Sequence, residues 1–125
     1  MRARVLKPEE WGRINSPELP TLLPYVEPQN ISVVVVEDDK GEIVASVAAM
    51  LTTHFEGLWI DPEYRGNAAV ARSLIRELYE VPRGRSEHWA FATAGEDNVR
   101  MDSVCRRLGG RQMPPVKFYV MPLGD

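Results

Sequence analysis

The residues best suited to chemistry lie where a predicted strand ends and a predicted helix begins, in the segment LWIDPEYRGNAAVARSLI that starts at Leu58. A turn and a run of small residues open this helix, at Arg65, Gly66, Asn67, Ala68, Ala69 and Ala71. A helix N-terminus exposes free N–H groups and a partial positive charge, and small residues let a ligand approach that backbone closely. The pattern predicts a pocket for phosphate or pyrophosphate. A helix start packed tightly against a sheet is the alternative interpretation.

The elements that must position this pocket follow from the apolar patterning. Short apolar runs predict six strands, at Val5–Leu6, Ile31–Val36, Ile43–Leu51, Phe55–Ile60, Trp89–Thr93 and Val116–Met121. The apolar period changes to 3.6 between Ala68 and Tyr79, which predicts an amphipathic helix that the Val81-Pro82-Arg83-Gly84 run ends. Two other helices are predicted, one starting near Lys7 and one between Asp97 and the Gly109-Gly110 pair.

Prolines shape the stretch between residues 16 and 28. They recur about every four residues, at Pro17, Pro20, Pro24 and Pro28. Because each lacks an N–H and restricts the residue before it, one long helix is excluded and short helical turns are expected. The stretch is either a surface connector or one wall of a substrate cleft.

The order of elements predicts an α/β (α+β) fold. Three successive strands followed by alternating helices and strands indicate a mixed, mostly antiparallel central sheet of about six strands, with helices on both faces. A length of 125 residues suits one domain, so a single domain over residues 1–125 is expected.

Composition excludes several classes of protein. The apolar share is 44% and the charged share 26%, which are globular values, and the net charge of −3 argues against sequence-independent nucleic-acid binding. One Cys and two His supply too few soft ligands for a metal site of the zinc type, and one Cys forms no internal disulfide. Without an apolar run long enough for a bilayer or a secretory leader, we expect a cytoplasmic protein with no membrane partner.

Two stretches resemble motifs of the GNAT N-acetyltransferase superfamily. Asp61-Pro62-Glu63-Tyr64-Arg65-Gly66, with the small-residue helix start and Ser73-Leu74-Ile75 after it, resembles the acyl-CoA motif R/Q-x-x-G-x-G/A. NVRMDSVCRRLGG, from Asn98 to Gly110, resembles the later N-x-x-A-x-x-x-Y-x-x-x-G-F motif. The predicted strand order matches as well, so the resemblance covers nearly the whole chain and implies a GNAT-like acyl-CoA N-acyltransferase fold.

The departures from the family pattern fall in both motifs. When Ser73-Leu74-Ile75 is aligned on the family's helix, the loop carries one extra residue after Arg65-Gly66. Alanine also restricts φ where the family has glycine. In the second motif Asn98 matches, but Cys105 takes the position of the Tyr that is the family's usual general acid.

The resemblance implies acetyl-CoA as co-substrate, without a metal. By that resemblance the backbone around Leu58, Trp59 and Ile60 holds the pantetheine arm. The residues from Arg65 to Ala69, with Ala71, surround the pyrophosphate, and Asn98 belongs to the cofactor site.

Three side chains are candidates for proton transfer. His54 and Glu56 are two apart, so they share one face of a strand, and the resemblance implies a base on that strand. The pKa of a histidine is ordinarily near ~6.5, so a histidine can act as the base without a shift. The pKa of a glutamate is ordinarily near ~4.3 and must be raised by desolvation before the residue is an effective base. Cys105 is the candidate acid. The alternatives are that His54 and Glu56 are solvated residues at a strand entrance and that Cys105 is a small buried apolar residue.

The function implied by the resemblance is transfer of an acetyl group from acetyl-CoA directly to a primary amine, on a small-molecule or peptide acceptor. The alternatives are a non-catalytic GNAT-like domain that binds CoA or a partner protein, and an interaction role without CoA. A homodimer is possible. Four acids near the proline-rich side could attract a cationic acceptor, although surface acids are ordinary: Glu18, Glu27, Glu37 and Asp38.

Overall fold

The structure is a computed structural model that describes residues 1–114 and 116–124. It has a mixed α+β fold in two compact units, Met1–Thr93 and a second that begins at Ala94. One domain over residues 1–125 stays a prediction.

The first unit opens with a three-stranded antiparallel sheet. Its strands are β1 (Arg2–Leu6), β2 (Ile31–Glu37) and β3 (Ile43–Met50), with β2 in the centre. The predicted hairpin between β2 and β3 is confirmed. Asp38 closes its turn because the Asp38 carboxylate accepts the backbone N–H groups of Lys40 and Glu42, each at 2.9 Å.

Short helical segments cover one face of this sheet. They comprise 3₁₀ helices at Pro8–Arg13, Leu23–Tyr25 and Pro28–Asn30, and α1 (Leu19–Leu22). The predicted short turns in the proline-rich stretch are confirmed, while the segment after Lys7 is a 3₁₀ helix of six residues. The core between sheet and helical segments consists of eight buried apolar residues: Leu6, Ile14, Leu19, Val26, Ile31, Val33, Val35 and Ile43.

The opposite face of the sheet is open, so the prediction of helices on both faces is wrong for the described residues. Val5, Val34 and Val47 lie opposite one another across the three strands, and they are 59%, 37% and 66% exposed. The β-branched run of β2 predicts a strand. Such a run occurs both in strands that other elements cover on two faces and in strands that are covered on one face. Only packing decides between the two.

A second sheet has two strands, so the prediction of one sheet of about six strands is wrong. β4 (His54–Phe55) pairs in parallel with β5 (Phe91–Ala92), with His54 opposite Phe91. Both strands are shorter than the predicted ranges, Phe55–Ile60 and Trp89–Thr93. Gly57 has a φ of +75°, which turns the chain two residues after β4 ends.

The predicted strand Val116–Met121 is also absent from the described residues of the second unit. Phe118, Tyr119 and Val120 are 72%, 70% and 88% exposed there. β-Branched and aromatic residues favour a strand only where a neighbouring strand and a packed face receive them. Pattern alone therefore predicted an element that has no partner in the described structure.

α2 (Ala68–Gly84) confirms the predicted amphipathic helix but continues past the predicted end at Tyr79. Pro82 lies inside its last turn and is buried. The Pro82 carbonyl accepts the N–H groups of Arg85 and Glu87, so the chain turns back after the proline rather than before it. Tyr79 stacks on Phe55 of β4 at a centroid distance of 5.9 Å, which links α2 to the second sheet.

The second unit contains α3 (Val99–Arg107), as predicted. The Asn98 side chain caps it by accepting the N–H of Met101 at 3.0 Å. After α3 the Cys105 carbonyl accepts the N–H of Gly110 at 2.8 Å, which confirms the predicted stop at the glycine pair.

Candidate functional site

His54 and Glu56 lie together at the end of β4. The His54 Nδ1 atom is 3.6 Å from the Glu56 Oε1 atom, and the two side chains are 42% and 49% exposed. The ring of His54 stacks on Phe91 with centroids 5.9 Å apart. A carboxylate beside one imidazole nitrogen orients the ring, which leaves the other nitrogen to exchange protons with a ligand. The two side chains are close, but Glu56 lies just beyond β4 and so the pair does not share the face of a strand. The catalytic role of either residue stays a prediction.

Hydrogen bonds of Thr53, the residue before β4, tie this strand to the chain around β5. The Thr53 carbonyl accepts the Phe91 N–H at 2.8 Å, and the Thr53 hydroxyl bonds to the Glu87 carboxylate. Glu87 also lies 3.6 Å from Arg85, and its side chain is only 16% exposed. Glu87 is therefore a support for β4 that sequence reasoning missed, because a Thr and a Glu that are 34 positions apart give no local pattern.

The loop before α2 is closed by its own side chains. The Asp61 carboxylate accepts the Glu63 N–H at 2.9 Å and so begins a 3₁₀ turn, Pro62–Tyr64. The Arg65 Nε atom donates to the Ile60 carbonyl at 2.9 Å. Arg65, predicted as a pyrophosphate ligand, thus stabilises the loop through its Nε–H, while its terminal nitrogens make no hydrogen bond within residues 1–114 and 116–124.

The helix start itself has the open backbone that the sequence predicts. Gly66 has a φ of +89°, and an added Cβ there would meet nothing within 4 Å. Asn67 caps α2 because its Oδ1 atom accepts the Ala69 N–H at 3.0 Å. Ala68, Ala69 and Ala71 are exposed at the first turn. A phosphate could approach this backbone, and it would compete with the Asn67 amide for the Ala69 N–H.

The segment predicted to hold pantetheine is not a strand. Leu58 and Trp59 are 45% and 68% exposed, and they lie beyond the left-handed Gly57. The Ile60 carbonyl already accepts a hydrogen bond from Arg65. The predicted strand extension over these residues is therefore wrong, and their role as cofactor ligands stays a prediction.

The remaining candidates, Asn98 and Cys105, belong to the second unit. Asn98 has a structural task as the cap of α3. Cys105 is a half-buried free thiol on the same helix, beside Met101 and Val104, which are also half-buried. Their predicted roles, in the cofactor site and as general acid, stay predictions.

An ion-pair network that no motif indicated joins β1, β2 and the first 3₁₀ helix. Arg4 bonds Glu37 at 2.6 Å and Glu10 at 2.8 Å, and Arg13 bonds Glu37 at 2.9 Å. Hydrogen bonds from Arg4 lower the pKa of Glu10 to about 2, with help from the Lys7 N–H. Hydrogen bonds from Arg4, and then from Arg13, also lower the pKa of Glu37 to about 2. Glu37 is therefore part of a structural ion-pair network.

Across residues 1–114 and 116–124, no three His, Cys, Asp or Glu side chains come together as a metal site. In the same part of the chain, no helix has both the length and the apolar character that crossing a bilayer needs.

Comparison with known proteins finds likeness in solved structures alone. No family model and no curated protein matches the chain. The aminoglycoside 6'-N-acetyltransferase AAC(6')-Iy, in complex with a CoA-containing bisubstrate analogue, is 14% identical with a TM-score of 0.48, and 97% of each chain is covered. AAC(6')-IG from Acinetobacter haemolyticus is 17% identical with a TM-score of 0.46, covering 99% of this chain and all of its own. An acetyltransferase of Trypanosoma brucei is 19% identical with a TM-score of 0.42, covering 96% and 99%. Because these TM-scores are below 0.5, we report the structural similarity and draw no conclusion from it about the activity of this chain.

Proposed function

We propose that the protein transfers an acetyl group from acetyl-CoA to a primary amine. The observation that carries this proposal is the helix start at Gly66, where a left-handed glycine and a capped first turn leave the backbone open. The two motif resemblances support it, and so does the His54–Glu56 pair at the end of β4. We further propose that the protein is cytoplasmic and acts on a small-molecule or peptide amine.

The proposed reaction needs one proton acceptor and one proton donor. The amine nitrogen attacks the acetyl carbonyl carbon, the N–C bond forms, and the C–S bond breaks with its electron pair on the CoA sulfur. His54, or Glu56 through the ring, takes the proton that the amine loses. The departing sulfur takes a proton from Cys105 or from water. No acetyl-enzyme forms, so CoA is released only when an amine is present.

The primary experiment measures binding of acetyl-CoA by calorimetry and thermal unfolding. Ligand at about 100 times its dissociation constant adds roughly 2.7 kcal/mol to the free energy of unfolding. Ala69→Asp, which sets a carboxylate at the first turn, should abolish most of this gain. Ser73→Asp makes the same charge change one turn further along α2 and is the matched control. Absence of both heat and melting shift in the unmodified protein would refute acetyl-CoA binding.

Turnover with a panel of primary amines tests the transfer itself. Glu56→Gln and His54→Gln should each be compared with the unmodified protein at saturating substrate, because a general base contributes about 10²- to 10⁴-fold. Acetyl-CoA binding should be unchanged in both variants. If neither variant slows transfer, the proton goes elsewhere and the assignment of the base fails.

A non-catalytic CoA-binding role is the second candidate, and the shortness of β4 favours it. The two strand residues His54–Phe55 end before the segment that the family resemblance assigns to the pantetheine arm. Binding of CoA without turnover of any amine would support this role over the enzyme.

A further inference from the structure

β1 forms one edge of the three-stranded sheet. β2 pairs with it on one side only, so alternate residues of β1 direct their backbone N–H and C=O groups away from the sheet on the other side. Within residues 1–114 and 116–124, no backbone hydrogen bond reaches this outer side of β1. The outer edge of β1 is therefore open to one more strand.

A groove of about 580 Å³ lies along this edge. Clefts that hold ligands commonly have volumes of about 300–1,000 Å³, so the groove is large enough for a bound chain. Three cationic side chains, two acids and one valine line it: Arg2, Arg4, Val5, Lys7, Glu10 and Glu37.

The charges of this groove do not cancel. Glu10 and Glu37 both lie in ion pairs with Arg4, and Arg13 pairs with the same two acids from beside the groove. Two cations and two acids thus balance one another in that network. Arg2 and Lys7 are exposed, and neither side chain forms an ion pair within residues 1–114 and 116–124. They are two uncompensated positive charges at the open edge.

The spacing of Arg2 and Lys7 fits an extended chain. Lys7 directly follows β1 and keeps an extended backbone, with φ −72° and ψ 148°. Five residues of strand span about 16 Å, which is too far for one small anion to contact both side chains. Because the separation is odd, the two side chains belong to opposite faces of the strand. An added strand with acids five residues apart would place one acid on each face.

We propose that the free edge of β1 binds an extended acidic segment of a partner protein as a fourth strand, with its acids on Arg2 and Lys7. Backbone hydrogen bonds supply affinity in this mode of recognition, and side chains supply specificity. A second copy of β1 would bring its own arginines to this edge, and like charges opposed across strands are destabilising. The proposal does not depend on acetyl transfer.

Charged side chains also protect edge strands from pairing, and that alternative predicts no binding. The probe is the blocked peptide acetyl-Asp-Thr-Val-Thr-Val-Asp-amide, whose acids are five residues apart as Arg2 and Lys7 are. Its binding to the full chain is followed by NMR of the backbone amides. We expect saturable shifts in β1 and slower hydrogen exchange at alternate amides between Arg2 and Leu6. Absence of saturation up to about 5 mM peptide would overturn the proposal.

Two modified peptides separate strand addition from simple charge attraction. Methylation of the backbone nitrogen at every second residue blocks one edge of the peptide. The two possible patterns should differ, one abolishing binding and the other retaining it, because a single added strand presents one edge to β1. Equal binding of the two patterns, or protection of amides in the other edge strand, β3, in place of β1, would overturn strand addition. The peptide with Asn in place of both Asp should bind about 5-fold more weakly or worse.

Substitutions locate the charged contacts. Arg2→Gln and Lys7→Gln should each weaken peptide binding by about 2- to 5-fold, as expected for the loss of one exposed ion pair. Arg72→Gln, which removes an exposed cation from α2 in the same unit, is the matched control and should bind like the unmodified protein. All three should melt like the unmodified protein. Unchanged affinity in the double variant of Arg2 and Lys7 would overturn their assignment as the acid-binding groups.

Discussion

Residues 1–50 and residues 51–93 lie in one unit but are held together in different ways. The eight residues of the buried apolar core fall between Leu6 and Ile43, in the first stretch. In the second stretch, which is described completely, Pro82 is the one buried residue. Hydrogen bonds around Thr53 and the stacked pair Phe55–Tyr79 tie the second stretch together.

The candidate site lies in the stretch with few buried contacts. His54, Glu56 and the start of α2 all belong to residues 51–93, and each is exposed to solvent. Regions that bind ligands are commonly drawn from the less stable end of a structure, because they must adapt. The sheet of residues 1–50 therefore provides stability, and the second stretch provides exposed polar groups.

The largest expected effect comes from breaking the core of the first stretch. Leu6 is 2% exposed, so Leu6→Ala removes buried methyl groups and leaves a cavity, and we expect a loss of about 2–5 kcal/mol. Leu51→Ala, at a residue 75% exposed, makes the same chemical change in the second stretch and should cost no more than about 0.5 kcal/mol. Denaturant unfolding of both variants measures the contrast. Equal losses would show that the two stretches are packed alike.

A smaller loss of stability is expected at low pH, and it arises from groups in residues 1–50. The pKa of Glu37 is about 2 because Arg4, and then Arg13, hydrogen-bond its carboxylate. A depressed pKa in the folded state means that the stabilisation is present above the ordinary glutamate pKa, near ~4.5, and is lost as pH falls toward about 2. Glu10, with a pKa of about 2, behaves alike.

Denaturant midpoints measured across that pH range test this network. Glu37→Gln should be less stable than the unmodified protein at neutral pH and should lose less of its stability on acidification. Glu9→Gln, at an exposed acid with no partner in the network, should follow the unmodified protein. Parallel curves for Glu37→Gln and the unmodified protein would show that the network does not stabilise the fold.

Sequence predicted the sheet of residues 1–50 better than the site. Alternating residues of β2 and the Asp38 turn fix the hairpin register locally, so these elements were predictable. The short length of β4 was not, because the apolar pattern of the segment gives no sign that Gly57 takes a positive φ and ends the strand. The cap at Asn67 follows from residue type, whereas the Thr53–Glu87 bond and the Arg4 network join residues far apart in sequence.

A backbone change sharpens the comparison at the start of α2. Gly66 has a φ of +89°, so Gly66→Ala forces an L-residue into the left-handed region at a cost of about 1–2 kcal/mol. Gly12, in the first stretch, has open space around it and no positive φ, so Gly12→Ala should be neutral or slightly stabilising. Melting temperatures give the two costs, and acetyl-CoA titration should show weaker binding in Gly66→Ala alone. A Gly66→Ala protein with unchanged melting and binding would contradict the role of this turn.

The smallest effect is expected at Cys105, in the second unit. Cys105 is half-buried on α3 between Met101 and Leu108, on the apolar stripe of that helix. We expect Cys105→Ala to lower the free energy of unfolding by about 1 kcal/mol, the typical cost of a point substitution, and to leave kcat unchanged. Ser103→Ala is the matched control on the same helix.

The measurement at Cys105 must separate packing from proton donation. An acid that acts only in the transition state affects kcat with little effect on acetyl-CoA affinity, so kcat and melting are measured on the same preparation. A kcat loss of about 10-fold or more with unchanged melting would assign Cys105 as the donor to the departing sulfur. A lower melting temperature with an unchanged kcat would indicate that water, and not Cys105, donates the proton to the departing sulfur. The second unit would then contribute packing alone at this position, and proton transfer would rest with the exposed pair His54–Glu56.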